Sequence, residues 1–391
     1  IVIFKLAFRN LLGAGIRTWL NVFVLSLAFL SIVYLKGMYN GMEAQSLHIS
    51  VDTDYGSGQI WCEKYDPYDP LSLPTAHSWI PEVYAPLMET GTATPMLLFQ
   101  GAIYPNSRMK NVLLRGVDPH QTVMNVSTSA LATTTEGHIP IAVGHRMAEI
   151  IDVRDGDVFT MQWRDGQGTY DARDAEVVHI FMTENSTIDI GNIWVDLTVL
   201  QEITRLENEA TMLVVDKTYR GDIPESSWTY MSLYVLTTDL REMMKMENAG
   251  GSIMYGILMA FALLAIFDTQ VLAIWRRKKE MGTLLALGMT RTMLIKLFTL
   301  EGSLYGLFAV ILATLYGTPL LVWNNWVGLT MPMDVDSLGM AFPQTLFPEY
   351  SVGLILGTII VALFSVTITS YLPVRKLAKL NPTDALRGKI D

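Results

Sequence analysis

The chain has 391 residues, of which 50% are apolar and 17% are charged. It is too apolar for an ordinary soluble domain and too charged for a bundle of membrane spans alone. The composition therefore predicts a membrane protein with a folded polar part.

Four apolar runs are long enough to cross a bilayer, which takes about 20 residues at a helical rise of about 1.5 Å each. Cations come before the first run, so a cleaved signal peptide is an alternative for it. We expect a retained anchor, because the run is longer than the apolar part of a signal peptide and no clear cleavage site follows it. The predicted spans are Trp19–Met38, Ile253–Trp275, Leu297–Trp323 and Val352–Leu372.

A polar region, residues 40–250, lies between the first and second spans. Strand-like pieces such as "NVLLRGV" and "DVFTMQW" alternate with turn signals such as "WRDGQG", which predicts a folded domain outside the membrane. The region carries 13 Lys and Arg against 30 Asp and Glu, a net charge of −17. We therefore expect no nucleic-acid partner, because phosphate binding needs a basic face.

The Lys and Arg residues near the spans predict the orientation, since they stay on the cytoplasmic side. The loop between the third and fourth spans has none, and Lys36, at the outer end of the first span, can extend its stem to the interface. We expect both termini in the cytoplasm and residues 40–250 on the other side. The cytoplasmic cations are Lys5, Arg9, Arg17, Arg276, Arg277, Lys278, Lys279, Arg291, Lys296, Arg375, Lys376, Lys379, Arg387 and Lys389.

The sequence has no motif that indicates catalysis. We find no G-x-x-x-x-G-K-[ST] phosphate loop and no G-x-S-x-G nucleophile turn, and the six histidines lack metal-ligand spacing. The single cysteine, Cys62, permits no internal disulfide, and we expect a buried thiol. This chain is predicted to be no enzyme and to hold no metal or cofactor, so any ATP and Mg²⁺ would be bound by a partner subunit.

The segment "RRKKEMGTLLALGMTR", residues 276–291, joins the second and third spans. Neither lipid nor a core of its own can cover all of its apolar side chains, which follow four cations. Either a partner protein covers them, or the segment extends the second span and packs beneath the third and fourth. Spacing alone leaves both interpretations open.

This segment and its continuation, "RRKKEMGTLLALGMTRTMLIKLFTLEGSLYG", resemble the signature of the FtsX-like, or MacB-type, ABC transporter permeases. The start, "KLAFRNLLGAGIRTWL", is similar to their elbow helix and first span. The end, "YLPVRKLAKLNPTDALRG", is similar to their closing pattern, with Leu377 where alanine is usual. The resemblance covers nearly the whole chain.

The resemblance implies an α-helical four-span membrane domain plus a large α+β periplasmic domain, the MacB-type core, inserted between spans 1 and 2. The implied parts are 1–39 with the elbow helix and first span, 40–250 as the periplasmic domain, and 251–391 with the remaining spans and a basic tail. It also implies that the segment after the second span is a coupling helix, which docks on an ABC ATPase subunit and transmits its closure. The residues that fall on this helix are Glu280, Gly282, Leu284, Leu285, Leu287, Gly288 and Met289.

Within the outer domain, "VLLRGVDP" and "GHIPIAVGHRMAEIIDVRDGDVFTMQ" are similar to lipoprotein-releasing permeases of the LolC and LolE type. This implies an inner-membrane permease, paired with a second copy or a paralogue, that works with LolD- or MacB-type ATPase subunits and passes lipoproteins to a periplasmic carrier. The alternatives are MacB-like export of peptides or toxins through an adaptor and outer channel, and FtsX-like signalling to a periplasmic cell-wall hydrolase without transport.

In the lipoprotein-releasing relatives, the first two spans line a cavity for acyl chains. Here the bulky residues of these spans are candidates for such a cavity, although contact with lipid or with the protein core explains them equally well. They are Phe23, Leu27, Phe29, Met254, Leu258 and Phe261.

Two acids lie inside the spans, where an ionisable group is costly and is a functional candidate. Asp268 lies seven residues before Trp275 and Glu301 lies five residues after Lys296, so both are about equally deep and can face each other. We expect them to form a buried polar network near the coupling helix rather than an ion pathway.

Small residues in the third and fourth spans predict close helix contacts. Proline is expected to kink the third span at Pro319 and to end the fourth span at Pro373. The small residues are Gly302, Gly306 and Ala309 in the third span and Gly353 and Gly357 in the fourth.

Overall fold

The computed structural model describes residues 2–13, 15–133, 137–330 and 341–377. Most of the predicted basic tail, with Lys379, Arg387 and Lys389, lies outside these residues. The chain divides into two compact units. The membrane unit is Ile1–Met42, Met244–Leu329 and Thr345–Asp391, and the extramembrane unit is Glu43–Met243 with Thr330–Gln344. The sequence placed the boundaries after residues 39 and 250.

The secondary structure is helical near both ends of the chain and mixed in the middle. The helices are α1 (Val2–Gly13), α2 (Ile16–Ser50), α3 (Ala85–Glu89), α4 (His145–Ile151), α5 (Ser186–Asp189), α6 (Leu197–Thr204), α7 (Leu233–Leu236), α8 (Thr238–Arg276), α9 (Lys278–Ala286), α10 (Arg291–Val327) and α11 (Val352–Leu377). The strands are β1 (Gly58–Trp61), β2 (Ser78–Trp79), β3 (Ala93–Ile103), β4 (Lys110–Val117), β5 (Ile139–Gly144), β6 (Val158–Arg164), β7 (Tyr170–Phe181), β8 (Asn192–Asp196), β9 (Glu209–Ala210), β10 (Met212–Val215), β11 (Thr229–Ser232), β12 (Leu329–Thr330) and β13 (Thr345–Leu346).

Four helices, α2, α8, α10 and α11, are long and apolar enough to cross a membrane. They match the four predicted spans, and a β-rich part lies between the first and the second, as predicted. The helices are longer than the apolar runs: α2 continues to Ser50 and α8 already begins at Thr238. Polar residues outside an apolar run can continue the same helix, so hydropathy alone underestimates helix length.

The predicted elbow helix is present as α1, which is separate from α2. Gly15, in the connection, has a φ of +80°, a conformation that glycine adopts without strain. Helix α1 packs against α10: Ala7 is fully buried, and the ring centroids of Phe8 and Phe308 are 5.8 Å apart.

The extramembrane unit is built on a nine-stranded mixed sheet with the order β11-β1-β10-β3-β4-β8-β5-β7-β6. Strand β4 pairs with β8 in parallel, as does β5 with β7, and the other neighbours run antiparallel. Strand β6 also pairs with β3, where Trp163 lies opposite Gly101. This extra pairing closes six strands into a barrel, in the order β3-β4-β8-β5-β7-β6.

Alternate side chains of the six barrel strands form one buried cluster, which helices α4 and α6 also join. Outward side chains on different strands of a closed sheet point apart, so this shared cluster is the barrel interior. It includes Phe99, Leu114, Ile141, Met161, Val177 and Val195, one from each strand. The single cysteine, Cys62, is buried in a separate cluster, as predicted.

Of the small residues predicted to allow close helix contacts, the glycines of α10 do so and those of α11 do not. A Cβ on Gly306 would lie 3.1 Å from Leu363 of α11, and one on Gly302 would overlap Ser370, which confirms the prediction for this helix. The prediction for α11 was wrong, because a Cβ on Gly353 or Gly357 would meet nothing within 4 Å. Helix α11 also continues through Pro373 to Leu377, so this proline does not end it.

Candidate functional site

The segment between α8 and α10 contains helix α9 and ends in a fixed turn. Gly288, which follows the helix, has a φ of +96°. Its N–H donates to the carbonyl of Leu285 at 3.1 Å, and the N–H of Met289 donates to the carbonyl of Leu284 at 3.0 Å. These two hydrogen bonds define a Schellman motif, in which glycine is favoured at this position. The Thr290 hydroxyl then caps α10 by accepting from a backbone N–H at 3.2 Å.

Most apolar residues of this segment pack on the membrane unit itself. Leu284, Leu285 and Met289 lie against a buried cluster, and Gly282 is buried as well. These residues therefore pack against the chain's own helices, which is the second of the two interpretations that the sequence left open. The cluster consists of Ile274, Met281, Leu294, Phe298 and Val374.

Leu287 is different, because 80% of its surface is exposed. Glu280 and Gly288 are exposed too. An exposed leucine on a segment whose turn is fixed by hydrogen bonds presents an apolar contact at a defined place. Of the predicted coupling residues, these three therefore remain available to a partner.

Arg277, the residue between α8 and α9, connects this segment to the third span. Its Nη1 donates to both carboxylate oxygens of Glu301, at 3.1 and 3.0 Å, and its Nε donates to Glu280 at 2.9 Å. The guanidinium carbon lies 5.1 Å from the ring centroid of Phe298. Burial opposes the charge of Arg277, but the hydrogen bonds and charges of the two glutamates outweigh it and raise the arginine pKa.

The two intramembrane acids are not brought together as expected. Glu301 is buried and is bound to Arg277, which the sequence analysis counted only as one of several cytoplasmic cations. Asp268 is exposed on α8 and has no hydrogen bond or ion pair within the described part of the chain. A glutamate five residues inside a span needs a nearby cation. Arg277, at the end of the preceding span, is a residue from which this pair could have been predicted.

The comparisons with known proteins include the α9 segment. Residues 252–382, which contain α9 and the last three spans, match the family described as FtsX-like permease, C-terminal. The chain carries an FtsX-like permease domain. The match begins within α8 and therefore leaves out Glu43–Met243, the larger part of the extramembrane unit.

Two relatives extend the likeness of this chain beyond that domain. The lipoprotein-releasing system transmembrane proteins LolC of two Xylella fastidiosa strains, Temecula1 and 9a5c, are 21% identical to it over 317 and 318 residues. Each match covers 73% of this chain and 75% of the relative.

Two further matches are more limited. An uncharacterized ABC transporter permease of Methanocaldococcus jannaschii is 29% identical over 125 residues, which cover 32% of this chain and only 29% of the length of that relative. The extracellular domain of the noncanonic ABC-type transporter YknZ from Gram-positive bacteria is 11% identical and covers 41% of this chain and 83% of that domain. Its TM-score of 0.27 is too low to establish a shared fold.

The candidate cavity residues of this chain fall into two groups. Phe29 is buried against Val33 and Ala313, so it is a core residue and cannot line an open cavity. Leu258 is half-buried. The exposed ones are Phe23, Leu27, Met254 and Phe261.

Polar side chains within the spans also form hydrogen bonds with one another. The amide of Asn21 donates to the hydroxyl of Thr269, and the hydroxyls of Ser303 and Thr367 are 3.0 Å apart. Gln270 is buried as well. These contacts connect α2 with α8 and α10 with α11, and no motif in the sequence indicates them.

Proposed function

We propose that this chain is the membrane subunit of an ATP-driven transporter that removes lipoproteins from a bacterial inner membrane and passes them to a periplasmic carrier. The observation that carries the proposal is the likeness to LolC, which runs through 73% of the chain and so includes sequence outside the FtsX-like domain. The names of these relatives state the release of lipoproteins. The likeness supports the same cargo class for this chain.

The proposed partner at the α9 segment is an ABC ATPase subunit, which would bind ATP and Mg²⁺. The exposed Leu287 and Glu280 would make the contact, while Leu284, Leu285 and Met289 hold the segment on its own helices. Arg277 would then transmit the ATPase movement to Glu301 in the third span. This assignment places the segment and both termini in the cytoplasm and the β-rich unit in the periplasm, in agreement with the distribution of Lys and Arg.

A second copy or a paralogue is the other proposed partner. Asp268 lies on an exposed side of α8 among Leu264, Phe267 and Leu272, which are exposed as well. A carboxylate in contact with lipid is costly, so a second permease subunit or a water-filled cavity would cover this face better than lipid does. The exposed Phe23, Leu27, Met254 and Phe261 would line the cavity for acyl chains, with membrane lipid around the remaining faces.

The docking assignment is tested with Leu287→Asp. Burying one leucine contributes about 1.5–3 kcal/mol, so we expect the purified variant to bind its ATPase at least tenfold more weakly. The matched control is Leu71→Asp in the extramembrane unit, where the leucine is 88% exposed. Both variants should elute as folded permease. Unchanged ATPase binding by Leu287→Asp would remove the docking assignment.

The cargo is tested by identifying what purifies with the intact complex after mild solubilisation. Lipidated proteins, released to a soluble carrier when ATP is added, are the expected result. An adaptor with an outer channel would instead indicate efflux, and a cell-wall hydrolase would indicate signalling. Either of these results would replace the proposed lipoprotein cargo.

A further inference from the structure

A cleft of about 660 Å³ lies within the extramembrane unit, away from the α9 segment in the sequence. Its walls include β1, the loop that follows β1, the segment from β11 to the first residues of α8, and side chains of β3, β4 and β10. Ligand sites commonly have volumes of about 300–1,000 Å³. The cleft is therefore large enough for a small organic molecule.

Aromatic rings line one side of this cleft. The rings of Trp61 and Tyr65 meet edge to face with centroids 5.0 Å apart, and Tyr68, on the same loop, is 78% exposed. Tyr55 contributes a fourth ring, and three methionines, Met96, Met212 and Met231, add a polarisable apolar surface. Such walls favour the flat or branched apolar body of a ligand.

The cleft carries a negative charge that its own residues do not neutralise. Among the described residues, Arg115 is the only Lys or Arg that lines it, and its guanidinium donates to Asp54 at 2.8 Å and to Asn192 at 2.9 Å. Three more carboxylates line the cleft, and within the described part of the chain none of them forms an ion pair. They are Glu63, Asp66 and Asp239.

The tyrosine hydroxyls do not change this charge at neutral pH. Burial, followed by the nearby charge of Asp54, raises the pKa of Tyr65 to about 12. The hydrogen bond from the Tyr68 hydroxyl to Asp239, 2.8 Å long, raises the pKa of Tyr68 as well. Both phenols therefore stay protonated, and the unpaired carboxylates give the cleft a charge of −3.

We propose that this cleft binds a small organic cation whose ammonium group is attached to an apolar body. The ammonium group would be attracted both by the unpaired carboxylates and by the faces of the aromatic rings. An anion would be repelled, and a neutral apolar ligand would desolvate the carboxylates without replacing their interactions. Charge and wall chemistry thus select the same ligand class.

Binding would have a structural consequence. Tyr68 lies on the loop after β1, whereas Asp239 lies in the first turn of α8, the helix that becomes the second span. Their hydrogen bond already joins the loop to the start of that helix, and a cation bound beside Asp239 would add a second contact between the two. This inference does not depend on the proposed lipoprotein cargo, and it can fail independently of it.

The test uses the full-length protein in dodecyl maltoside, a detergent without charge, and saturation-transfer NMR with benzyltrimethylammonium. Two probes serve as controls: 3-phenylpropionate has a ring but the opposite charge, and tetramethylammonium has the charge but no ring. We expect binding of benzyltrimethylammonium at least tenfold tighter than of either control. Equal binding of the cation and the anion would overturn the proposal, as would the absence of cation binding.

Paired variants locate the site. Glu63→Gln with Asp239→Asn should weaken binding of benzyltrimethylammonium at least tenfold, whereas Glu82→Gln with Glu89→Gln, the same change of charge at exposed positions outside the cleft, should leave it unchanged. If the first pair fails to fold, Glu63→Gln alone replaces it, because this exposed side chain has no hydrogen bond among the described residues. Unaltered binding by the cleft variant, or an equal loss in the control pair, would contradict the assignment.

Discussion

The two units of the chain each bury an acid beside an arginine, but the two pairs join different parts of the structure. In the extramembrane unit, Asp189 is fully buried, receives hydrogen bonds from two backbone N–H groups at the start of α4, and pairs with Arg146 at 3.2 Å. In the membrane unit, Glu301 pairs with Arg277, which also binds Glu280 of α9. The first pair fixes a helix inside a core, whereas the second joins a span to a segment with an exposed face.

The two units also differ in how much of their apolar surface they cover themselves. The barrel interior is covered by its own strands and two helices. By contrast, only 22% of the most apolar window in each of α8, α10 and α11 is buried within the chain. The extramembrane unit supplies its own core, whereas the described part of the membrane unit leaves most of the apolar surface of these three helices uncovered.

The largest expected effect is the loss of the buried pair in the extramembrane unit. Asp189→Ala would leave the Arg146 charge buried without its carboxylate and would remove the acceptor for two backbone N–H groups, at a cost of about 3–5 kcal/mol. We expect faster hydrogen exchange throughout the barrel strands of the full-length protein. Asp155→Ala, at an exposed position, should change exchange little. Normal protection in Asp189→Ala would show that the pair is dispensable.

The next effect in size concerns the pair in the membrane unit. Arg277 is more exposed than Arg146, so we expect Arg277→Ala to cost less, about 1.5–3 kcal/mol of hydrogen bonding to charged groups. The thermal midpoint of the detergent-solubilised protein should fall, and ATPase stimulation should fall with it. Arg277→Lys keeps the charge but loses the two-oxygen contact with Glu301, so it should lie between wild type and alanine.

The exchanged variant, Arg277→Glu with Glu301→Arg, tests whether the ion pair between positions 277 and 301 itself contributes to stability. It restores the pairing but reverses the charge next to Glu280, so stability should recover in part. A double variant no more stable than Arg277→Ala would show that the pairing itself contributes little.

A smaller effect is expected at two glycines of the third and fourth spans. Gly302→Ala places a methyl group against Ser370 and should cost about 1–3 kcal/mol, because the packed helices must move apart. Gly357→Ala meets nothing within 4 Å and should be neutral or slightly stabilising. Thermal unfolding in one detergent compares the two. A loss at Gly357 as large as that at Gly302 would indicate that α11 packs on another subunit there.

Asp268→Asn should have the smallest effect on the isolated chain. The carboxylate makes no hydrogen bond in the described residues, and the amide removes a charge that is costly within a span. We expect unchanged folding and most of the transport-linked ATPase activity. Complete loss of activity in a normally assembled complex would instead indicate that Asp268 carries a proton or an ion.

The sequence was sufficient for the spans and for the polar region between them, because both follow from runs of apolar residues and from local alternation. It was not sufficient for the barrel, since the pairing of β3 with β6 joins residues about 60 positions apart and leaves no local pattern. The glycines of α10 and α11 illustrate the same limit. Small residues show where close contact is permitted, but they do not show which side of a helix faces a neighbour.

The α9 segment was predicted as an element, but the roles of its leucines were not separated. Leu284 and Leu287 are equally apolar and three residues apart, and the structure buries one against Phe298 and its neighbours while exposing the other. Helical spacing does not separate them, because the N–H of Leu287 still donates to the carbonyl of Thr283 at 2.9 Å. What differs is contact: Leu284 packs on the buried cluster of the membrane unit, and Leu287, the last residue before the turn at Gly288, does not. A one-dimensional pattern that assumes a continuous helix assigns both residues to the same stripe.

Helix α9 is attached at both of its ends, by the Arg277 contacts at one and by the turn at Gly288 at the other. Its nine residues span about 14 Å, and the helix has no glycine at an exposed position that would let it bend. It therefore behaves as a short stiff rod rather than as a hinge. Under the proposed docking of an ATPase, a push on Leu287 would displace the rod towards Glu301 with little of the movement lost to bending.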